Sequence, residues 1–301
     1  MKKDFLGLEN VSKEEIQELL DRAKFMKAQI KQGNKALDIL KGKSIVTLFY
    51  ENSTRTRCSF EDACMYLGAS VCNVEVGISS VQKGECLVDT AVTLDKMMTD
   101  AIIIRHSMAG APAIIAQHTN ASVINAGDGM HEHPTQALLD MFSMQERFGT
   151  LKGLTVSIIG DIKHSRVAKS NIIGLSKMGA KVKVYGPNTL MPWSFDGFDC
   201  TVCKSIDDAF IGSDVVMGLR IQLERQMRGL FPSNSEYTRF YGITSDRMAK
   251  ANKGAVVMHP GPVNRGVEIS YDVLDSDICI KDEQVTNGVA TRMALLESVC
   301  I

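Results

Sequence analysis

The 301-residue sequence lacks several features that would mark a specialised class of protein. It has no excess of charge, since 34 Lys and Arg residues stand against 35 Asp and Glu residues, which argues against general binding to nucleic acid or to an anionic membrane. It has no long apolar run, and stretches such as residues 101–104 fall far short of the ~20 residues that cross a bilayer. Residues 1–5 do not resemble the start of a secretory signal, so we expect no secretion.

Cysteine is too sparse for a disulfide scaffold, and the eight cysteines lie in apolar segments, so we expect a cytoplasmic protein. Cys200 and Cys203 have the spacing of half a zinc site, but no second pair follows at a useful distance. We interpret them as buried or edge-strand thiols and expect no metal. The sequence also lacks a Gly-x-x-x-x-Gly-Lys loop, and residues 160–162 lack the remaining glycines of a dinucleotide fingerprint, so we expect no nucleotide cofactor.

The composition and the pattern of the chain predict two parallel-sheet α/β domains. Hydrophobic residues make up 45% of the sequence, and its length fits two domains of ~100–200 residues. Short β-branched runs alternate with helical patterns, which predicts right-handed crossovers and parallel sheets, and the alternation restarts after a helix at 133–148. Strands are predicted at 44–50, 71–76, 101–105, 122–125, 154–160, 181–185, 214–219 and 255–259. Helices are predicted from a capping box at Ser12 and Glu15, at 54–67, 85–98 and 111–118, and from about Ser165, Ile206, Ser245 and Gln284.

Arginines follow the predicted strands, at the carboxyl edge where open parallel sheets bind ligands. They are Arg55, Arg57, Arg105, Arg166 and Arg220. A face that collects them in a nearly neutral protein is an anion site, so the ligand should be acidic. Arg166 or Arg220 alone could instead form a surface salt bridge, which is common and contributes only ~0–1 kcal/mol.

Two helix starts carry the most distinctive polar residues. Residues 53–57 (Ser-Thr-Arg-Thr-Arg) begin a helix straight after a buried strand, so N–H groups, hydroxyls and a guanidinium can converge on a phosphate. The alternative is an ordinary N-cap with two solvated arginines. His133, followed by Pro134, begins another helix, a position that favours a neutral imidazole donating a hydrogen bond. The alternative there is a histidine that merely caps the helix.

Residues 49–61 (Phe-Tyr-Glu-Asn-Ser-Thr-Arg-Thr-Arg-Cys-Ser-Phe-Glu) resemble the carbamoyl-phosphate signature of the carbamoyltransferases. Further matches extend over nearly the whole chain, at 83–85, 133–136, 160–166, 220–222, 259–262 and 284–288. Together they resemble the aspartate branch of the aspartate/ornithine carbamoyltransferase family. Residues 259–262 are His-Pro-Gly-Pro, whereas the ornithine branch carries His-Cys-Leu-Pro. Arg166 and Arg220 also suit a dicarboxylate and would repel the ammonium group of ornithine.

The resemblance implies transfer of the carbamoyl group of carbamoyl phosphate to the α-amine of L-aspartate, in pyrimidine biosynthesis, by direct attack. It implies a carbamoyl-phosphate-binding domain at 1–132, with a returning C-terminal helix at 286–301, and an aspartate-binding domain at 133–285. It also implies a homotrimer whose subunits share active sites. The sequence leaves open whether a regulatory chain or a dihydroorotase associates, and whether nucleotides regulate the protein. Two other functions remain open: transfer to ornithine or another amine, and non-catalytic binding of a phosphorylated metabolite.

The resemblance also implies roles for individual residues. The phosphate would be held by Ser53, Thr54, Arg55 and Thr56. The carbonyl oxygen would be approached by Thr56, Arg105 and His133. The carbamoyl NH₂ group would be held by Gln136 and by the backbone carbonyls of Pro260 and Gly261. The two aspartate carboxylates would be bound by Arg166, Arg220 and Gln222. Ser79 and Lys83 would come from the adjacent subunit, with Ser80 an alternative to Ser79 and a flexible surface loop the alternative for the whole segment.

Overall fold

The computed structural model describes residues 3–76, 83–221 and 233–301, and the chain divides into two compact units. The first comprises Met1–Phe142 with Val285–Ile301, and the second comprises Ser143–Gln284. Each contains its own parallel sheet, so the predicted fold class is confirmed. Among the residues that the structure describes, no helix is both long enough and apolar enough to span a bilayer.

The first unit contains a four-stranded sheet in the order β2-β1-β3-β4, with every pairing parallel. Its elements in chain order are α1 (Lys13–Lys31), β1 (Ser44–Phe49), α2 (Thr54–Tyr66), β2 (Ser70–Glu75), α3 (Leu87–Lys96), β3 (Ala101–His106), α4 (Ala111–Ala116), β4 (Ser122–Asp128) and the start of α5 (Pro134–Phe148). The strands β1, β3 and β4 are almost wholly buried, which explains their continuous apolar sequence. The edge strand β2 is largely exposed.

Helices from both ends of the chain pack together in the first unit. Ser12 and Glu15 form the predicted capping box at the start of α1, and the helix ends just before Gly33, whose φ is +80°. The last helix, α11 (Lys281–Cys300), begins three residues before the predicted Gln284. Arg22 of α1 donates two hydrogen bonds to Glu297 of α11, at 2.6 and 2.7 Å. The C-terminal helix therefore packs on the first unit, as the sequence predicts.

The second unit contains a five-stranded parallel sheet in the order β7-β6-β5-β8-β9. Its elements are β5 (Thr155–Ile159), α6 (Arg166–Lys177), β6 (Lys181–Tyr185), β7 (Thr201–Val202), α7 (Ile206–Phe210), β8 (Val215–Gly218), α8 (Asn234–Tyr241), α9 (Ser245–Met248), β9 (Val256–Met258) and α10 (Tyr271–Leu274). A short 3₁₀ helix, Asn188–Leu190, lies between β6 and β7.

Several short elements of the second unit do not appear in the sequence analysis, namely β7, α8, α10 and the 3₁₀ helix. The edge strand β7 has two residues and carries no periodicity, and it lies between Cys200 and Cys203. Burial raises the pKa of the Cys200 thiol to about 11, so that thiol stays protonated at neutral pH. The helix α8 does have a local signal, because its N-cap Ser233 accepts a hydrogen bond from the backbone N–H of Glu236.

A close approach of two backbone segments gives a stability prediction. A Cβ at Gly186 would lie 2.1 Å from the carbonyl oxygen of Gly160, and a backbone atom cannot rotate away. We expect Gly186→Ala to lower the free energy of unfolding by about 3 kcal/mol, measured in urea. The control is Gly212→Ala, where φ is +71° but the space is open, and we expect a loss of only about 1 kcal/mol. Equal losses in the two variants would contradict the steric argument.

Candidate active site

The start of α2 has the features of an anion site in the first unit. Ser53 is the N-cap residue, but its hydroxyl makes no capping hydrogen bond, so the ordinary side-chain cap considered above is absent at this position. The first turn of α2 contains no acidic residue, whereas that of α1 contains Glu14 and Glu15. The positive end of the α2 dipole is therefore not neutralised by a carboxylate within its own first turn. Around it, Thr56 is buried and the other two residues of the predicted phosphate cluster are exposed, namely Thr54 and Arg55.

Arg105, near the end of β3, lies close to His133, which follows β4. Nη1 of Arg105 donates to the carbonyl oxygen of Ala126 at 3.2 Å and lies 3.4 Å from Nε2 of His133. Nε of Arg105 lies 3.4 Å from Oε2 of Glu51. A guanidinium can only donate, so its approach favours a neutral imidazole with the proton on Nδ1. The arrangement fits the neutral ring that the sequence predicts for His133.

The turn between β4 and His133 is fixed by the buried carboxylate of Asp128. This carboxylate accepts hydrogen bonds from the backbone N–H groups of Gly110 and Glu132 and from the side chains of Asn125 and His131. Burial alone would raise the pKa of Asp128, but these hydrogen bonds outweigh it and hold the pKa below its usual value. Gly129 has a φ of +50°, and a Cβ there would lie 2.7 Å from the backbone nitrogen of Ala109.

Two further predicted site residues of the first unit, Gln136 and Lys83, are described by the structure. Gln136 is buried in the first turn of α5 and donates through Nε2 to Oδ1 of Asp140 at 2.9 Å. Lys83 is exposed and follows the edge strand β2. Ser79, its alternative Ser80 and, in the second unit, Gln222 lie outside the described residues.

In the second unit, predicted site residues follow three neighbouring strands. Arg166 is the first residue of α6, after β5, and is buried. Arg220 lies two residues beyond β8 and is half-buried, and Pro260 and Gly261 follow β9. Because β5, β8 and β9 are adjacent and parallel, their carboxyl ends share one edge of the sheet. Gly261 has a φ of +66°, a conformation that favours glycine at this position.

The segment that carries Arg220 is held by a buried carboxylate. Glu268 accepts hydrogen bonds from the backbone N–H of Ile221 at 2.9 Å and from the side chain of Asn264 at 2.6 Å. Asn264 in turn donates to the carbonyl oxygen of Ile221 at 3.2 Å. Burial raises the pKa of Glu268 above its usual value, although these hydrogen bonds oppose the shift. Both backbone groups of Ile221 are thereby anchored next to Arg220.

Four carboxylates that contact predicted site residues, or the backbone beside them, are absent from the predicted site. They are Glu51, Asp128, Asp140 and Glu268. Glu51 has a usable signal, because it follows a buried strand inside a polar motif, and Asp140 has another, because it lies four residues after Gln136 in a predicted helix. For Asp128 and Glu268, the distant partners Gly110 and Ile221 are identified only by the fold. Within residues 3–76, 83–221 and 233–301, no group of three or more His, Cys, Asp or Glu side chains could hold a metal ion.

Models of known protein families match both units of the chain. The model described as "Aspartate/ornithine carbamoyltransferase, carbamoyl-P binding domain" matches residues 3–146. The model described as "Aspartate/ornithine carbamoyltransferase, Asp/Orn binding domain" matches residues 152–299. The chain belongs to the aspartate/ornithine carbamoyltransferase family. The resemblance identified from the sequence motifs is therefore confirmed.

Individual relatives and solved structures come from both branches of the family. The chain is 59% identical to the aspartate carbamoyltransferase catalytic subunit of Ruminiclostridium cellulolyticum, over 98% of this chain and 94% of the relative. It is 54% identical to that of Caldanaerobacter subterraneus, over 100% and 98%. Aspartate transcarbamoylase from Trypanosoma cruzi, solved with carbamoyl phosphate and aspartate, superimposes with a TM-score of 0.89 at 32% identity, over 98% and 96%. Ornithine carbamoyltransferase from Pyrococcus furiosus gives 0.86 at 29%, over 97% and 95%.

The His131–Asp128 bond predicts a pH dependence of stability. The hydrogen bond to Asp128 raises the pKa of His131, although partial burial opposes the shift. Because the folded pKa lies above the unfolded value, the stabilisation is complete below about pH 6.5 and is lost as pH rises through the folded pKa. The His131 side chain is 46% exposed, so solvent screening keeps the effect below about 1 kcal/mol.

The measurement is urea unfolding at about pH 6 and about pH 9. From the lower to the higher pH, we expect the free energy of unfolding to fall more in the wild type than in His131→Gln, which has no imidazole to titrate. A larger loss in His131→Gln than in the wild type would contradict the assignment.

Proposed function

We propose that this chain transfers the carbamoyl group of carbamoyl phosphate to the α-amine of L-aspartate, giving N-carbamoyl-L-aspartate and phosphate. The observation that carries the proposal is the 3.4 Å approach of Arg105 to His133, beside the strand that leads into the start of α2. This arrangement offers donors for a carbonyl oxygen next to an anion site. The names of the most similar relatives support aspartate as the acceptor.

Charge development explains why these donors are needed. Attack of an amine on carbamoyl phosphate builds negative charge on the carbonyl oxygen and then on the departing phosphate. Thr56, Arg105 and His133 would stabilise the carbonyl oxygen, and a donor of this kind contributes about 3 kcal/mol. The phosphate would be held by Ser53, Thr54, Arg55 and Thr56. The amine would attack the carbonyl directly, so the mechanism needs no covalent nucleophile, and phosphate oxygens can accept the released proton.

The second unit supplies the groups that fit aspartate. Arg166 and Arg220, with Gln222, would bind the two carboxylates, because a guanidinium can grip a carboxylate with two parallel hydrogen bonds. The carbamoyl NH₂ group would donate to Gln136 and to the carbonyls of Pro260 and Gly261. In this proposal residues 1–132 with the helix at 286–301 bind carbamoyl phosphate, and residues 133–285 bind aspartate.

The active site would be shared between the subunits of a homotrimer, with Ser79 and Lys83 donated by the adjacent copy. Two features support this part of the proposal. Lys83 is exposed, and it follows the edge strand β2, which is itself largely exposed. Natural edge strands are usually shielded from further pairing, so an exposed one is a candidate for contact with another chain. The proposal places the enzyme in the cytoplasm, in pyrimidine biosynthesis.

Acceptor choice tests the proposed function. Purified protein incubated with carbamoyl phosphate should release phosphate with L-aspartate and not with L-ornithine, because Arg166 and Arg220 would repel a cationic side chain. The product with aspartate should be N-carbamoyl-L-aspartate by mass spectrometry. Phosphate release with ornithine alone would assign the other branch. Binding of carbamoyl phosphate without turnover, and with unchanged affinity in His133→Ala, would indicate a non-catalytic binding protein.

Complementation between inactive variants tests the shared site. Lys83→Ala and Arg55→Ala should each lower turnover by about a hundredfold or more, since each removes a cation from the developing phosphate charge. Mixing the two under conditions that exchange subunits should restore part of the activity, because some sites then combine an intact Lys83 with an intact Arg55. As a control, Arg55→Ala mixed with Arg105→Ala should restore none. Equal recovery of activity in the two mixtures would contradict an active site that is shared between subunits.

A further inference from the structure

The carboxamide of Gln136 is held in one orientation by a carboxylate one turn further along α5. Nε2 of Gln136 donates to Oδ1 of Asp140 at 2.9 Å, and both side chains are buried. A carboxylate accepts hydrogen bonds and cannot donate, so the NH₂ branch of the amide must face Asp140. The carbonyl oxygen of the amide then occupies the other branch. That oxygen is the atom needed to accept a hydrogen bond from a carbamoyl NH₂ group.

The start of α5 also contacts a buried arginine from the C-terminal helix. Burial lowers the pKa of Arg292 to about 10, and the nearby charge of Asp140 opposes this shift. Arg292 donates to the carbonyl oxygen of Gly288 at 3.1 Å and contacts Oγ1 of Thr135 at 3.5 Å. Its guanidinium lies 5.1 Å from the ring centroid of Phe60 on α2. Arg292 thus touches the helix that begins at the phosphate cluster and the helix that begins after His133.

We propose that Asp140 is a positioning residue, which holds Gln136 with its carbonyl oxygen turned toward the carbamoyl NH₂ group. The inference rests on the proposed function and deepens it. Burying a carboxylate is costly, and an apolar side chain would avoid that cost. An apolar side chain at position 140, however, would leave nothing to distinguish the two ends of the Gln136 amide. Orientation of that amide is therefore the property that the buried carboxylate supplies.

The test is a double-mutant cycle between Asp140→Asn and Gln136→Ala. Asparagine is isosteric, but it can either accept from or donate to Gln136, so the amide can present its NH₂ end to the substrate. We expect Asp140→Asn to lower kcat/KM for carbamoyl phosphate by about tenfold, and Gln136→Ala to lower it by at least as much. In the Gln136→Ala background, Asp140→Asn should lower kcat/KM no further. A purely structural role would leave the effect of Asp140→Asn on kcat/KM the same in both backgrounds.

Asp95→Asn is the matched control. Asp95 is a buried carboxylate of the same unit, and it accepts hydrogen bonds from the backbone N–H groups of Asn120 and Ala121 before the start of β4. This position is at the amino edge of the strand, away from the carboxyl ends that carry the site. We expect Asp95→Asn to lower stability in urea and to leave kcat/KM for carbamoyl phosphate unchanged. A fall in kcat/KM equal to that of Asp140→Asn would attribute both effects to general destabilisation and overturn the positioning role.

The outcomes separate this inference from the function on which it rests. A wild-type protein that transfers no carbamoyl group would overturn the proposed function itself. An active wild type in which Asp140→Asn keeps its full effect without Gln136 would overturn the positioning role alone. Loss of that effect in the Gln136→Ala background, with Asp95→Asn still active, supports the proposal. Circular dichroism and urea unfolding of each variant establish that the kinetics are those of folded protein.

Discussion

The ion pair between Arg105 and Glu51 is the interaction on which the candidate site depends. The two side chains are only 13% and 10% exposed, so the guanidinium has lost most of its hydration and persists there only if acceptors surround it. Glu51 and the carbonyl oxygen of Ala126 supply those acceptors. They hold the guanidinium at the carboxyl end of β3, where His133 can approach it. An arriving phosphorylated ligand then finds a cation already in position, which lowers the cost of organising the site.

Parallel topology is what brings this pair together from distant parts of the chain. Glu51 follows β1, Arg105 lies in β3 and His133 follows β4, and these strands are adjacent in one sheet. The alternation of strand and helix patterns is local and strong, so the sequence predicts the parallel sheets and therefore the common edge. For this reason the motif positions of Arg105, His133 and the start of α2 were predictable from the sequence alone. The same argument places Arg166 and Arg220 on one edge of the second sheet.

The groups behind those residues could not be predicted in this way. Arg292 contacts Thr135, which is 157 residues away along the chain, and no periodicity marks such a pair. Glu268 accepts from the backbone of Ile221, which is 47 residues away, so this pair too is identified only by the fold. Asp140, by contrast, lies four residues after Gln136 in a predicted helix, and this spacing is a local signal. Short elements could not be predicted for a different reason. The strand β7 has only two residues, which is too few for an alternating pattern. Local sequence therefore identifies the groups that face a ligand better than the groups that hold them.

The placement of opposite charges at the strand ends follows the same pattern, in which some groups face the ligand and others hold them. The chain has a net charge of -1, yet Arg105, Arg166 and Arg220 lie at or just beyond the carboxyl ends of strands. The carboxylate of Glu51 anchors the first of them. In the second unit Glu268 anchors the backbone beside Arg220 through the N–H of Ile221. Acceptance of a cationic amine there would require a carboxylate facing the ligand or the loss of Arg166 or Arg220. Selectivity between a dicarboxylic and a cationic acceptor thus depends on which sign of charge faces the ligand, and both branches of the family can share one fold.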